Sequence, residues 1–341
     1  MVQQNLFIFN FKMKKLITKG LLLLLPFCIM VSVFIILDPL KVIHEYPSPT
    51  TAGVMMNDRL YQAKWLNKKS ENYDAFIFGS SRSKAFKTWN WEKLLPEKVM
   101  PFHLGVNDET LFGVLKKLEY LDRNNYKIKY ALFPIDHRIL QLQENQEAHI
   151  FREYYEVSGE AAGEYYKKYF TAFLNPNFLK YYFEWKKTGV ISKEKNEYLW
   201  DPGFEYIQKN GDIIYARMDK EISNDSSNYY NQEKSIVFYE RKESEAKKLL
   251  NEKGIKMLQE IKNILVKHNT NYQIIITPNY DLKKINSEDF KTMKRIFDST
   301  KVSDFSGLNE HTNDYKKFYE ERHFKPYIAN QVMKISYSKS N

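Results

Sequence analysis

A nearly unbroken apolar run from Leu16 to Leu37 constrains this chain before anything else can be read from it. As a helix rising about 1.5 Å per residue, the run reaches roughly 30 Å, the thickness of a bilayer's hydrocarbon core. Thr18, Lys19, Gly20, Pro26 and Ser32 interrupt it only mildly. A proline is tolerated there because membrane helices re-satisfy the freed carbonyl. Lys12, Lys14, Lys15 and Lys19 precede or open the run, whereas only Lys41 follows it closely, beside Asp38. The positive-inside rule therefore predicts a cytoplasmic N-terminus and an extracytoplasmic remainder, at the periplasm or cell surface. The next residues, Asp38-Pro39-Leu40-Lys41, lack a small-x-small cleavage site, which favours an uncleaved signal-anchor over a cleaved signal peptide. Met13 opens Met-Lys-Lys-Leu-Ile and competes with Met1 as the start.

The single cysteine, Cys28, lies inside this run, so the rest of the chain forms no internal disulfide and must be held by its core. The net charge of +10 is spread as lysines among nearly as many acids rather than gathered on one motif. That pattern suits a surface beside an anionic membrane better than a nucleic-acid partner, and none is expected. The histidines show no ligand-like pairing, so neither a metal nor a cofactor is expected.

Residues 1–15 read as a cytoplasmic N-terminus, 16–37 as the transmembrane signal-anchor and 38–73 as a juxtamembrane connector with a short helix beginning over Leu60–Leu66. Residues 74–341 read as one α/β domain. Its apolar runs Ala75–Phe78, Val99–Leu104, Tyr130–Ile135, Tyr272–Pro278 and Val302–Phe305 predict five strands of a mostly parallel sheet. Helices are expected at Leu111–Leu118, Glu243–Lys267, Ser287–Phe297 and Ile328–Ile335. Between about 140 and 235 the rhythm gives way to tyrosine- and phenylalanine-rich sequence, read as a mainly helical insertion, with Asn224–Asn228 as a polar loop. Its aromatics pack helices or offer a surface for sugar rings.

The chemistry concentrates at two places. Ala75-Phe76-Ile77-Phe78 runs into Gly79-Ser80-Ser81-Arg82-Ser83, a strand opening into a tight turn, and in open α/β sheets ligands bind at such strand ends. Late in the chain, Glu320-Glu321-Arg322-His323 sets a carboxylate three residues before a histidine. A serine hydroxyl needs a neutral imidazole to remove its proton, and a carboxylate fixes that imidazole's tautomer. Ser81, His323 and Glu320 fit these roles. Arg82 could bind an anionic substrate group, although a solvated or carboxylate-paired arginine is the simpler reading. Asp136-His137-Arg138 is explained equally well by strand-end solvation or helix capping.

With these motifs in this order, the chain resembles the SGNH/GDSL hydrolase superfamily, in particular its membrane-anchored Gly-Ser-Ser group. The resemblance implies a flavodoxin-like three-layer α/β/α fold with Ser81 of Gly79-Ser80-Ser81 as nucleophile. It implies an oxyanion-hole glycine, Gly105 in His103-Leu104-Gly105-Val106-Asn107, to act with the Ser81 N–H; the Asn107 side chain reads either as a further donor or as a cap of its loop. The terminal Asp-x-x-His motif is matched by Glu320 and His323, with Glu for Asp. The Gly-x-Asn-Asp motif after the third strand is absent; Phe133-Pro134-Ile135-Asp136-His137 stands there, and an ionised Asp136 cannot donate to an oxyanion. The activity implied is that of a serine esterase or O-acyltransferase on acyl, chiefly acetyl, esters of a cell-envelope or secreted polysaccharide, sometimes beside a multispanning membrane acyltransferase. The alternative is a catalytically inactive protein of the same fold that binds glycan or such a membrane partner.

Overall fold

The computed structural model describes residues 2–68, 72–191, 198–200, 203–231 and 240–338. Its first element, α1 (Val2–Leu37), is a single helix that contains Pro26 and begins well before the expected Leu16. Within it, the 25 residues Met13–Leu37 are long and apolar enough to cross a membrane. Asp38 ends the helix at positive φ, and its carboxylate accepts from the Val42, Ile43 and His44 N–H groups, turning the chain sharply. Helix α2 (Asp58–Lys68) follows.

Five strands, β1 (Ala75–Ile77), β2 (Pro101–His103), β3 (Tyr130–Ile135), β4 (Asn271–Ile276) and β5 (Val302–Asp304), form one sheet in the order β5-β4-β3-β1-β2. Every pairing is parallel. The observed strands are one to three residues shorter than the apolar runs except at β3, although single inter-strand hydrogen bonds continue past their ends, from the Phe78 N–H to the Leu132 carbonyl at 2.9 Å and from the Leu104 N–H to the Ile77 carbonyl at 2.7 Å. Among the described residues, no strand of this sheet comes from the chain between Ile135 and Asn271.

Side chains along the strands alternate between two cores, which explains why the strands read as continuous apolar runs. Phe76, Ala131, Phe133, Ile274 and Ile276 face one, shared with α3 (Leu111–Arg123), α6 (Glu252–Lys267) and α7 (Ser287–Ile296). Ala75, Ile77, Leu132 and Ile275 face the other, closed by Ile328, Ala329, Val332 and Met333 of α8 (Pro326–Ser338). Between α3 and α6 in the chain lie α4 (Ala162–Phe173) and α5 (Pro176–Thr188), followed by a hairpin of Glu205–Ile207 with Asp212–Ile214.

Two expected elements differ. The helix expected from Glu243 starts at Glu252, capped by Asn251. Upstream, Ser244–Glu245 pairs with Lys283–Lys284, and the Leu249 and Leu250 N–H groups donate to Asp289 at 2.7 and 3.2 Å. Tertiary hydrogen bonds thus hold an amphipathic segment extended. The expected loop at Asn224–Asn228 instead ends one helix at Asn224 and begins a short one, Ser226–Tyr229, because the Asp225 carboxylate accepts from the Asn228 N–H.

Candidate functional site

The C-terminal ends of β1, β2 and β3 bring Gly79–Ser83, His103–Asn107 and Asp136 to one edge of the sheet. β1 and β3 are spatial neighbours although β2 lies between them in sequence, so their ends flank the point where strand order reverses, where open α/β sheets hold ligands. The turn after β1 needs Gly79: its φ is +145°, and a Cβ would lie 2.7 Å from both the Pro134 carbonyl oxygen and Ser83 Cβ. Ser80 then caps the short 3₁₀ segment Ser81–Ala85, its Oγ accepting from the Arg82 N–H at 3.2 Å. The same hydroxyl donates to Asp136 Oδ2, tying the ends of β1 and β3 together.

Asp136 serves four groups at once. Its other oxygen accepts from the Arg138 and Ile139 N–H groups at 2.8 and 3.1 Å, capping the short helix His137–Gln141. Arg82 Nη1 lies 3.2 Å from Oδ2. Burial alone would raise the Asp136 carboxyl, but the Arg82 charge and the Ser80 hydrogen bond outweigh it and hold the pKa below the ordinary value. Arg82 is therefore carboxylate-paired.

The second glycine, Gly105, is fixed by packing: a Cβ there would collide with Ser83 Oγ and come within 2.7 Å of His103 Nε2. Its loop is clamped by α2, which does more than connect. Gln62 donates to the Gly105 carbonyl at 3.1 Å, and Arg59 donates to the Asn107 and Asp108 carbonyls at 2.9 Å each. Lys84, paired with Asp58 at 3.2 Å, donates to Asn107 Oδ1 at 2.7 Å. With its oxygen so occupied, Asn107 has its amide N–H₂ left as a donor. The Ser81 and Gly105 N–H groups donate to no other group among the described residues.

Glu320 and His323 are joined as their spacing suggests. An antiparallel bridge between Phe318 and Phe324 closes a tight turn in which the Tyr319 N–H donates to the His323 carbonyl at 2.8 Å. Inside that turn Glu320 Oε1 bonds His323 Nδ1, and Oε2 accepts from the Arg322 N–H at 2.9 Å. Burial would raise the Glu320 carboxyl, but the hydrogen bond and charge of His323 outweigh it and lower the pKa. An acceptor at Nδ1 selects the tautomer that leaves Nε2 as the proton acceptor.

Tyr215 bridges the two halves. Its ring centroid lies 5.9 Å from that of His323 and 4.9 Å from that of Tyr319, while its hydroxyl approaches the Ser81 carbonyl at 3.5 Å. Ser81 and His323 thus share a neighbour, and no hydrogen bond joins their side chains among the described residues. No protein-family model and no curated protein matches this chain.

A hydrogen-bonded Ser-His-Asp array lies next to the Ser81 turn, and sequence reasoning missed it. Ser83 Oγ is 3.0 Å from His103 Nε2, and His103 Nδ1 is 3.1 Å from Asp212 Oδ1, with all three residues at most 1% exposed. Burial lowers the His103 pKa, opposed by the Asp212 hydrogen bond, so the imidazole is neutral and donates from Nδ1. The Ser83 proton is shared with the Ser80 carbonyl at 2.7 Å. Asp212 also accepts from the Thr88 hydroxyl at 2.6 Å, the Thr88 N–H at 3.0 Å and Asn210 at 3.1 Å. This array anchors the Ser81 turn to the edge strand β2 and to the hairpin. Asn210-Gly211, a strong hairpin-turn dipeptide, was the available signal for where Asp212 sits.

Proposed function

We propose that this is a membrane-anchored, extracytoplasmic serine esterase or O-acyltransferase of the SGNH type, acting on acyl esters of a cell-envelope or secreted polysaccharide. The observation that carries the reading is the Glu320–His323 pair, held in a tight turn and facing Tyr215, whose hydroxyl reaches the Ser81 backbone. The parallel order β2-β1-β3-β4-β5, with helices against both faces, supports a flavodoxin-like three-layer arrangement, with the aromatic segment as an insertion between β3 and β4.

In this reading His323 Nε2 takes the Ser81 hydroxyl proton as Oγ attacks the ester carbonyl, and Glu320 stabilises the imidazolium that forms. The unspent N–H groups of Ser81 and Gly105, with the Asn107 amide, hold the tetrahedral oxyanion in place of the missing third-motif donor. His323 then returns the proton to the leaving alkoxide. Water as acceptor gives hydrolysis, and a sugar hydroxyl gives transfer.

A catalytically silent glycan- or partner-binding protein of the same fold is favoured by one observation, the lack of a hydrogen bond between Ser81 Oγ and His323. Catalytic hydrogen bonds are commonly long before substrate binds, which keeps the enzyme reading ahead. Turnover of an aryl acetate by the intact protein separates the two. His323→Gln should lower kcat/KM by roughly 10²–10⁴-fold, the usual worth of a general base. Equal turnover by both proteins would reject the mechanism.

A further inference from the structure

The aromatic hairpin α4–α5 lies alongside the apolar helix α1. The Phe170 ring sits 5.9 Å from Phe27 and 5.5 Å from Phe34, and Phe173 sits 5.4 Å from Phe34. Phe27 lies ten residues before Leu37, about 15 Å back along the helix axis. The other end of the hairpin stays at the exit of α1. Burial and then the Asp38 carboxylate raise the Tyr182 hydroxyl pKa. Burial and then repulsion from Lys186 lower Lys41 to about 8. The hairpin therefore packs beside α1 over the stretch from Phe27 to Phe34, with Tyr182 and Lys186 of α5 near Asp38 and Lys41 at its exit.

Its free surface has the composition of an interfacial element. Outside α1, large apolar side chains are exposed at few described positions, and three of them are Leu174 at 42%, Phe183 at 49% and Val190 at 59%. Phe183 is flanked along the helix by exposed Lys180, Lys186 and Lys187, with Glu184 as the only acid of α5. Lys186 Nζ lies over the Tyr182 and Trp185 rings at 5.7 and 5.1 Å. Aromatic rings with lysines whose stems run over apolar surface are what the boundary of a bilayer selects.

We propose that the α4–α5 hairpin is a second membrane contact, its Leu174 tip and Phe183 face bedded in the leaflet that α1 leaves at Leu37 and its lysines meeting lipid phosphates. Two contacts fix the height and tilt of the α/β domain over the bilayer, where one helix on a turn would leave it free to swing. The inference rests on α1 spanning the membrane, and its test reports on that separately.

Single-cysteine proteins, Leu174→Cys, Phe183→Cys and Val266→Cys in a Cys28→Ser background, plus the native chain with Cys28, would carry an environment-sensitive fluorophore. Each full-length protein is reconstituted into phosphatidylcholine vesicles, with and without phosphatidylglycerol, containing acyl-chain nitroxide lipid. Val266 is 62% exposed on α6 and serves as the aqueous reference. The proposal expects Leu174 and Phe183 probes to be quenched at least about twofold more than the Val266 probe, as for residues buried at an interface. Quenching at Cys28 but not at Leu174 or Phe183 would overturn the hairpin contact and leave the span standing. No quenching at Cys28 would overturn both. Burial of the hairpin probes only when native membrane proteins are added would overturn the lipid assignment in favour of a protein partner.

Discussion

Ser81→Ala should reduce ester turnover by on the order of 10⁴- to 10⁶-fold while leaving the fold intact, because a nucleophile acts as a unit with its base and acid. The substitution is mild for the structure. Ser81 is part-exposed, the turn is set by Gly79 and Ser80, and no hydrogen bond from Ser81 Oγ would be lost. Thermal unfolding should therefore move little, and steady-state kinetics would report the chemistry alone. Turnover within about tenfold of the parent would remove Ser81 from the mechanism, since even one oxyanion donor is worth more than that.

Asp212→Ala should have the opposite profile, a loss of about 3–5 kcal/mol in stability measured by denaturant unfolding. That carboxylate is buried and accepts from His103, Asn210 and both the hydroxyl and the N–H of Thr88. Removing it strands several buried donors, each costing about 1–3 kcal/mol, and cuts the hairpin from the edge of the sheet. Ser83→Ala should cost only about 1 kcal/mol, the net worth of an ordinary hydrogen bond. A small effect at Asp212, with a large loss of activity at Ser83, would mean that the buried array rather than Ser81 carries the chemistry.

The parts of this architecture that were legible in the sequence are those fixed by local pattern. Continuous apolar runs between helical stripes gave five parallel strands with edges off by at most two residues, because apolar burial marks a strand's interior more sharply than its ends. The spacing of Glu320 and His323 anticipated their pairing, since a three-residue separation suits one tight turn. What stayed hidden depends on contacts distant in sequence. His103 gains its role from Asp212, 109 positions away, and the Gly105 loop is held by Arg59 and Gln62 from a helix read only as a connector. The buried set Arg59, Glu109, Lys117 and Glu153 is likewise invisible as a charge pattern, because its members come from α2, the α3 entry, α3 and the chain before α4. Asp136 could be read either as solvated or as a cap; the structure makes it a cap and a tie between β1 and β3 at once.

The measurement that bears most directly on the central claim is the site of covalent capture by a serine-directed fluorophosphonate, mapped by tandem mass spectrometry on the full-length protein. Only a hydroxyl with a functioning base reacts at a useful rate. The account predicts one adduct, on Ser81, lost in His323→Gln. An adduct on Ser83, or no adduct on any serine, would contradict it.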